Sequence, residues 1–497
     1  MEKFDVVIIG AGLGGLECGY ILSRHEKKVC IVEKESLIGG CLQTFRREGI
    51  SFDTGFHYVG GLEPGQMLHK LFMYFGLMEL PWKKMDSDCF DKIIIEGKSY
   101  SYAQGYEQYR DTLIESFPHE ADAIKVYVDF LKSVGDNTNK SFDKRDTDAF
   151  YGQSLFAKSA YEYLTSLFRD KSLIDVVSGA SLKMELNTEK LPLYIFAQIN
   201  SSFIQSAYRL EGGGMQIAET LRRQIESMGG CVMRNAKVTD VKGAEGKVTS
   251  VVINGGDLEI EADYFISNVH PATTMNLLQN SKLIRNIYCK RINNLENTFG
   301  MFTANILLKP NTIKYQNCNI YAYEKEGVWQ LHEDTTDDVN SILISFQVPK
   351  DGSEYCENID ILTPMNWSKV ERYFGTKIAH RGSEYEEMKE EMAQKCIALA
   401  SKYVDGLQDA IKNVYTSTPL TYCDYTGTMQ GSAYGIRKNY NELMYTVLTP
   451  RTPVSNLFLT GQNLNLHGIL GVSMTSFFTC AEILGMETVV NDLNNKR

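Results

Sequence analysis

Val6-Val7-Ile8-Ile9-Gly10-Ala11-Gly12-Leu13-Gly14-Gly15 opens the chain, and the rest is arranged around it. A β-branched apolar run stops at Gly10, a glycine turn follows, and a helical stretch begins near Gly14. A second apolar run, Val29-Cys30-Ile31-Val32, ends on an acid, Glu33. Strand, glycine turn, helix, strand and acid within roughly thirty residues make a dinucleotide-binding unit. Gly10 permits the tight turn, Gly12 lets backbone approach a pyrophosphate, and Gly15 lets helix and strand pack closely. Leu13 and Gly14 open the helix, whose free N–H groups and partial positive charge suit phosphate oxygens. Glu33 accepts from a ribose hydroxyl, which favours an unphosphorylated ribose.

The 497 residues exceed one ordinary core, so two or three structural units are expected. Hydrophobic content of 43% and charged content of 23% are those of a globular protein. A net charge of −11 argues against nucleic acid as the main partner, and no polybasic run marks a lipid-headgroup site. The eleven cysteines include no C-x-x-C pair, which suits reduced, buried thiols in the cytoplasm rather than a disulfide framework. The first strand starts almost at once, which argues against a cleaved leader, and no apolar stretch approaches the ~20 residues of a spanning helix. None of the eight histidines pairs with another at helical spacing, so no metal site is expected.

Beyond Glu33 the chain reads Ile38-Gly39-Gly40-Cys41, then Phe52-Asp53-Thr54-Gly55-Phe56-His57-Tyr58-Val59-Gly60, a short strand running into another glycine turn. Two glycines soon after the ribose acid let backbone pass close to a long cofactor. With Gly10 to Gly15 and Glu33, these residues resemble the FAD-binding half of the flavin oxidoreductases related to phytoene desaturase. The Gly-Gly-Cys and Asp-Thr-Gly-Phe-His-Tyr-Val-Gly runs are most similar to the all-trans-retinol 13,14-reductase (retinol saturase) arm of that family. Many relatives carry Arg after the two glycines, but this chain has Cys41, so no arginine contact is expected there. The resemblance implies FAD contacts at Gly39, Gly40, Thr54 and Gly55, and a backbone contact to the adenine end at Val238. Near the C-terminus, Asn456 to Gln462 is a strand ending in a glycine, and Gly468-Ile469-Leu470-Gly471-Val472 opens a helix that ends near Gly485. In the family the strand-end pair, here Gly461 and Gln462, meets the ribityl chain. The helix after it, here with Gly468, Ile469, Gly471 and Val472, points at the flavin pyrimidine edge. Thr418 to Thr421 and Met429 to Gly435 also resemble the saturase arm's approach to its flavin.

Apolar spacing predicts helices over Gln66 to Met78, Tyr106 to Leu131 and Ile217 to Met228, and a surface loop over Asn137 to Asp148. Cys231 to Val241 reads as a strand pair. Val248 to Ile253, Tyr264 to Ser267, Phe302 to Leu308, Ile342 to Val348 and Ile359 to Thr363 read as strands. Ser383 with Glu386 makes a capping box for a long helix. The expected fold is α/β: a discontinuous doubly wound, Rossmann-like FAD-binding domain with a mixed α+β substrate domain. The first is assigned to residues 1–65, 206–280 and 416–497, and the second to 66–205 and 281–415.

Flavin supplies the redox chemistry, and the protein supplies orientation, electrostatics and a dry pocket. Saturating an unactivated polyene bond by a proton and a hydride requires a general acid near the ring. His57 and Tyr58 are the first candidates and His467 the third, with Asp424 or Tyr434 in reserve. Tyr194, Phe196, Phe203 and Tyr208 suit a polyene tunnel or plain core packing. The expected function is that of an FAD-dependent oxidoreductase acting on C=C/C–C bonds of an isoprenoid polyene. A carotenoid cis-trans isomerase using reduced FAD, an amine-oxidase-like enzyme and a flavin protein without turnover are the alternatives. NAD(P)H is expected at most as a transient electron donor, because no second glycine fingerprint of similar quality occurs. A hydrophobic substrate makes peripheral membrane contact an added expectation.

Overall fold

The computed structural model describes residues 3–142, 149–279, 281–331 and 338–495. The opening run forms the strand Lys3–Ile9, whose side chains alternate between two buried faces. Val6 and Ile8 pack under the helices Leu13–Arg24, Met215–Ser227 and Gly468–Leu484. Val7 and Ile9 pack on the other face with Met275, Cys289 and Ile292 from the helices Pro271–Leu277 and Asn286–Asn293. Burial on both faces explains why this strand is a continuous apolar run instead of an alternating one.

Its sheet has seven strands. Cys231–Met233, Val29–Val32, Lys3–Ile9 and Leu258–Ser267 run side by side in parallel, and Leu457–Leu459 joins the last of them in parallel. Lys247–Ile253 and Val238–Ala244 extend it as an antiparallel edge. With helices on both faces, this is the Rossmann-like α/β arrangement expected from the first residues. Cys231 to Val241 is not a strand pair: its two strands lie at opposite ends of the sheet, because Cys231–Met233 pairs with Val29–Val32 instead.

A second seven-stranded sheet runs in the order Ile411–Ser417, Gly300–Leu308, Asn358–Met365, Ser341–Phe346, Asn319–Tyr323, Asp91–Ile95, Lys98–Tyr102. One face packs on Met392, Ala393, Cys396 and Ile397 of the helix Ser383–Ala400. The other, through Ile93, Ile95, Tyr321, Tyr323, Leu343 and Leu362, covers the largest core, which includes the helices Ala121–Asn139 and Leu193–Gln205. One pairing in this sheet is parallel and sets Asn319 opposite Asp91, a juxtaposition that shapes the site.

Three local expectations change. Tyr106 to Leu131 is two helices, Tyr106–Ser116 and Ala121–Asn139, because Pro118 cannot continue the first. Residues 137–139 complete the helix Ala121–Asn139, because Val134 and Thr138 are buried and hold its last turn in the core, while 143–148 lie outside the described residues. Ser383 is the first helical residue, not the cap: Gly382 is the N-cap and no side chain caps it. Among the described residues no helix is long and apolar enough to cross a membrane, and no cluster of three His, Cys, Asp or Glu could hold a metal.

Candidate active site

A cavity of about 560 Å³ opens where the parallel strands Lys3–Ile9 and Val29–Val32 end, and it runs toward the second sheet. Its first end is the glycine turn. Gly10 has a left-handed φ of 95° and donates its N–H to the Val32 carbonyl at 2.8 Å. Gly39 donates to Ala11 O at 2.7 Å, drawing the second glycine turn beside Gly12. Asn268, at the end of the third parallel strand, donates its N–H to Ile9 O at 2.8 Å and fills the space between the turns. A Cβ on Gly12 would stand 2.9 Å from the Asn268 amide nitrogen, and one on Gly461 2.6 Å from its oxygen. These glycines leave a groove that any side chain would fill.

Glu33 lies at the rim of this groove, accepting the Ala11 N–H at 2.8 Å, and burial pushes its pKa up. Gly12 caps the helix Leu13–Arg24 with no side-chain acceptor, so its first N–H groups are open to an anion. The helix Gly468–Leu484 starts in the same way behind His467, with no side-chain cap, at another part of the cavity wall. Two uncapped helix N-termini on one cavity suit a ligand carrying negative charge at two separated places.

His57, Tyr58 and His467 all line the cavity. Both ring nitrogens of His57 are buried without a hydrogen-bond partner, and burial, aided by Arg209, lowers its pKa to about 4. A neutral imidazole with neither nitrogen hydrogen-bonded, its Nδ1 3.9 Å from the buried Asp360 carboxyl, suits a ligand that offers a donor and an acceptor. Burial likewise lowers His467 to about 4, and its Nε2–H donates to the Lys183 carbonyl at 3.0 Å. Tyr434 packs on the His467 ring at a 35° tilt with centroids 4.5 Å apart, and its hydroxyl donates to Leu182 O. Asp424 is tied to Arg381 and is not part of the cavity wall.

Tyr58 belongs to a buried polar cluster. Its hydroxyl donates to Asp91 Oδ2 at 2.8 Å and lies 2.6 Å from the Tyr321 hydroxyl. Lys183 Nζ donates to the same Oδ2 at 2.9 Å, and Asn319 Nδ2 donates to Oδ1 at 2.8 Å. Arg209 in turn donates to Asn319 Oδ1 at 2.8 Å. Lys183, Tyr58 and Tyr321 all line the cavity.

The NAD(P)-binding Rossmann-like domain family model matches residues 8–75. The chain is 25% identical to the all-trans-retinol 13,14-reductase of Rattus norvegicus, over 99% of its own length and 87% of that protein's. The chain is thus similar to the retinol 13,14-reductases over nearly its whole length. It is also 24% identical to the chloroplastic prolycopene isomerase 2 of an Oncidium hybrid cultivar, over 87% of its own length and 75% of that protein's. Among solved structures, an oxidoreductase from Methanosarcina mazei shares the fold, with a TM-score of 0.64 at 16% identity over 95% of this chain and 98% of that one.

The cavity gathers most of the residues expected from sequence. Gly10, Gly12, Leu13, Gly14, Glu33, Gly39, Gly40, Gly55 and Val238 line it, as do Gly461, Gln462, Gly468, Ile469 and Val472. Gly15, Thr54 and Gly471 stand behind the wall. A Cβ on Gly15 would meet Gly10 O at 2.1 Å, and one on Gly471 would meet Leu466 O at 2.4 Å. The Thr54 carbonyl accepts from the Tyr422 hydroxyl at 2.9 Å. All three shape the turns without facing a ligand. Of the four aromatics, Phe203 alone lines the cavity. Tyr208 hydrogen-bonds Glu63, Phe196 packs on Trp329, and Tyr194 packs on Phe156. Lys183, Asp91 and Tyr321 were missed: single polar residues bordering apolar runs, without a motif around them.

Proposed function

We propose that this protein is an FAD-dependent oxidoreductase that reduces a carbon–carbon double bond of an isoprenoid polyene. One observation carries the reading: a single cavity joins the nucleotide turn at Gly12 and Glu33 to a chamber walled by Phe203, Met301, Leu343 and Leu362. The FAD-binding unit is assigned to residues 1–65, 206–280 and 416–497 and the substrate unit to 66–205 and 281–415, an assignment supported by the membership of the two sheets. Residues Gly10 to Gly15, Glu33 and Val238 would hold the nucleotide end of FAD. Gly461, Gln462 and the start of the Gly468 helix would hold its flavin end. Bound there, the flavin would supply hydride chemistry. The chain's own part is to exclude water with apolar walls, to offer uncapped N–H groups to negative charge, and to present the His57 ring.

The test is anaerobic incubation of the flavin-loaded, chemically reduced enzyme with a panel of retinoids and carotenoids, read by mass. Saturation adds two hydrogens. Loss of two hydrogens by the oxidised enzyme would mean desaturation, and an unchanged mass with shifted retention would mean isomerisation, the second reading suggested by the prolycopene isomerase similarity. No change with any polyene would overturn the proposal. NADH and NADPH are the proposed transient donors, and bleaching of the flavin absorbance on their addition is the expected sign.

Gly12→Val tests the cofactor assignment. Its branched side chain would enter the groove beside Asn268, so FAD affinity should fall about 100-fold, equivalent to about 2.7 kcal/mol. Flavin-to-protein absorbance of the purified variant and a fluorescence titration measure it. A variant that retains flavin like the wild type would rule out the pyrophosphate groove.

A further inference from the structure

Reduction by hydride also consumes a proton, and the histidines are poor sources of it. Both His57 and His467 are neutral at pH 7, and burial raises the Tyr58 pKa well above its ordinary value. We propose that Lys183 delivers this proton to the polyene, with Asp91 as its positioning partner, an inference that rests on the polyene reading of the cavity.

Lys183 closes the short turn Ser181–Lys183, and its side chain is only 6% exposed while forming part of the cavity wall. Asp91 accepts one of its N–H bonds. The ring of Phe203 lies 4.1 Å from the ammonium and that of Tyr58 5.3 Å, with Phe90 and Tyr321 at 5.6 and 6.0 Å. Aromatic faces hold a cation by their quadrupoles, whatever atom carries the charge. The cage that holds an ammonium therefore also suits the delocalised carbocation formed when the proton moves onto the chain. The Asp91 carboxyl is held in place by hydrogen bonds from Tyr58 and Asn319, so the transfer needs little reorganisation. Burial lowers the Lys183 pKa against the pull of Asp91, which makes the ammonium a readier acid.

In the step, one Nζ–H bond breaks and its electron pair stays on nitrogen. The π pair of one C=C bond forms the new C–H bond and leaves its partner carbon cationic. Hydride from a dihydroflavin reductant closes that cation, and Lys183 regains a proton from solvent after product leaves. The product carries two more hydrogens than the substrate.

The experiment compares full-length, flavin-loaded wild type, Lys183→Met, Lys183→Ala and the double variant Lys183→Met with Asp91→Asn, which removes both charges of the pair. Polyene binding is read by fluorescence quenching of the oxidised protein, and turnover by product mass. The variants should bind FAD and polyene within about threefold of wild type yet lose turnover by about 100-fold or more. Millimolar ethylamine should restore Lys183→Ala at least tenfold, which a purely structural loss would not allow. If wild type reduces no polyene, the function reading fails and this assignment with it. If wild type turns over, three results overturn the assignment alone: variant turnover within about tenfold of wild type, loss that tracks lost binding, or loss that amines do not rescue.

Discussion

Asp91→Ala is expected to destabilise the fold by about 3–5 kcal/mol, the range for removing one partner of a buried ion pair. Asp91 is fully buried and accepts from Lys183, Tyr58 and Asn319. Its removal leaves the Lys183 ammonium without its counter-charge and the Asn319 amide without that acceptor, while the Tyr58 hydroxyl keeps only the Tyr321 hydroxyl. Urea denaturation of the variant against wild type measures the cost. Adding Lys183→Met should recover much of it, because a thioether packs well among Phe203, Tyr58, Phe90 and Tyr321. A loss below about 1 kcal/mol would mean that water enters the cluster.

Glu17→Gln is expected to stabilise the protein in alkali relative to acid. Glu17 sits on the helix Leu13–Arg24, fully buried against Gly468–Leu484, and its carboxyl accepts from Ser473 at 2.5 Å and Ser476 at 3.0 Å. Burial pushes its pKa up to about 8, although both serines pull the other way. In the unfolded chain it ionises near the ordinary 4.5. The folded state therefore binds a proton that the unfolded state releases. This contribution is whole below pH 4.5 and drains away as pH rises to about 8. The glutamine variant titrates nothing here, so its advantage over wild type should grow by roughly 4 kcal/mol between pH 5 and pH 9. Burial also raises Asp53 to about 8 and Asp360 to about 6, but both are common to the two proteins and cancel in the difference. Urea melts at the two pH values decide it, and equal differences would show that the Glu17 carboxyl is solvated.

The nucleotide half was legible because its chemistry is local. A strand buried on both faces must be continuously apolar, a turn with φ of 95° at Gly10 needs glycine, and Glu33 closes the second strand beside that turn. Each constraint acts within a few residues of its signal, so Gly10 to Gly15, Glu33 and Gly39-Gly40 marked the groove. The returning Gly461 and the Gly468 helix were legible for the same reason: a glycine ends a short strand, and small residues begin a helix. The errors at Cys231 to Val241 and at Ser383 came from choices that pairing and packing make, not local propensity.

The Lys183–Asp91 cluster was not legible, because it is assembled from distant pieces, although Tyr58 within it was. Lys183 and Asp91 are 92 residues apart, and Tyr58 and Tyr321 are 263 apart. Nothing around a lone lysine in Leu182-Lys183-Met184 distinguishes it from a surface cation. It becomes a buried charge because parallel pairing sets Asn319 against Asp91 and because the Ser181–Lys183 turn packs over that pair. The chain thus carries its glycine groove in short motifs that backbone geometry imposes. Its buried Lys183–Asp91 cluster arises from burial and charge pairing, which come into being when the two sheets close on one cavity.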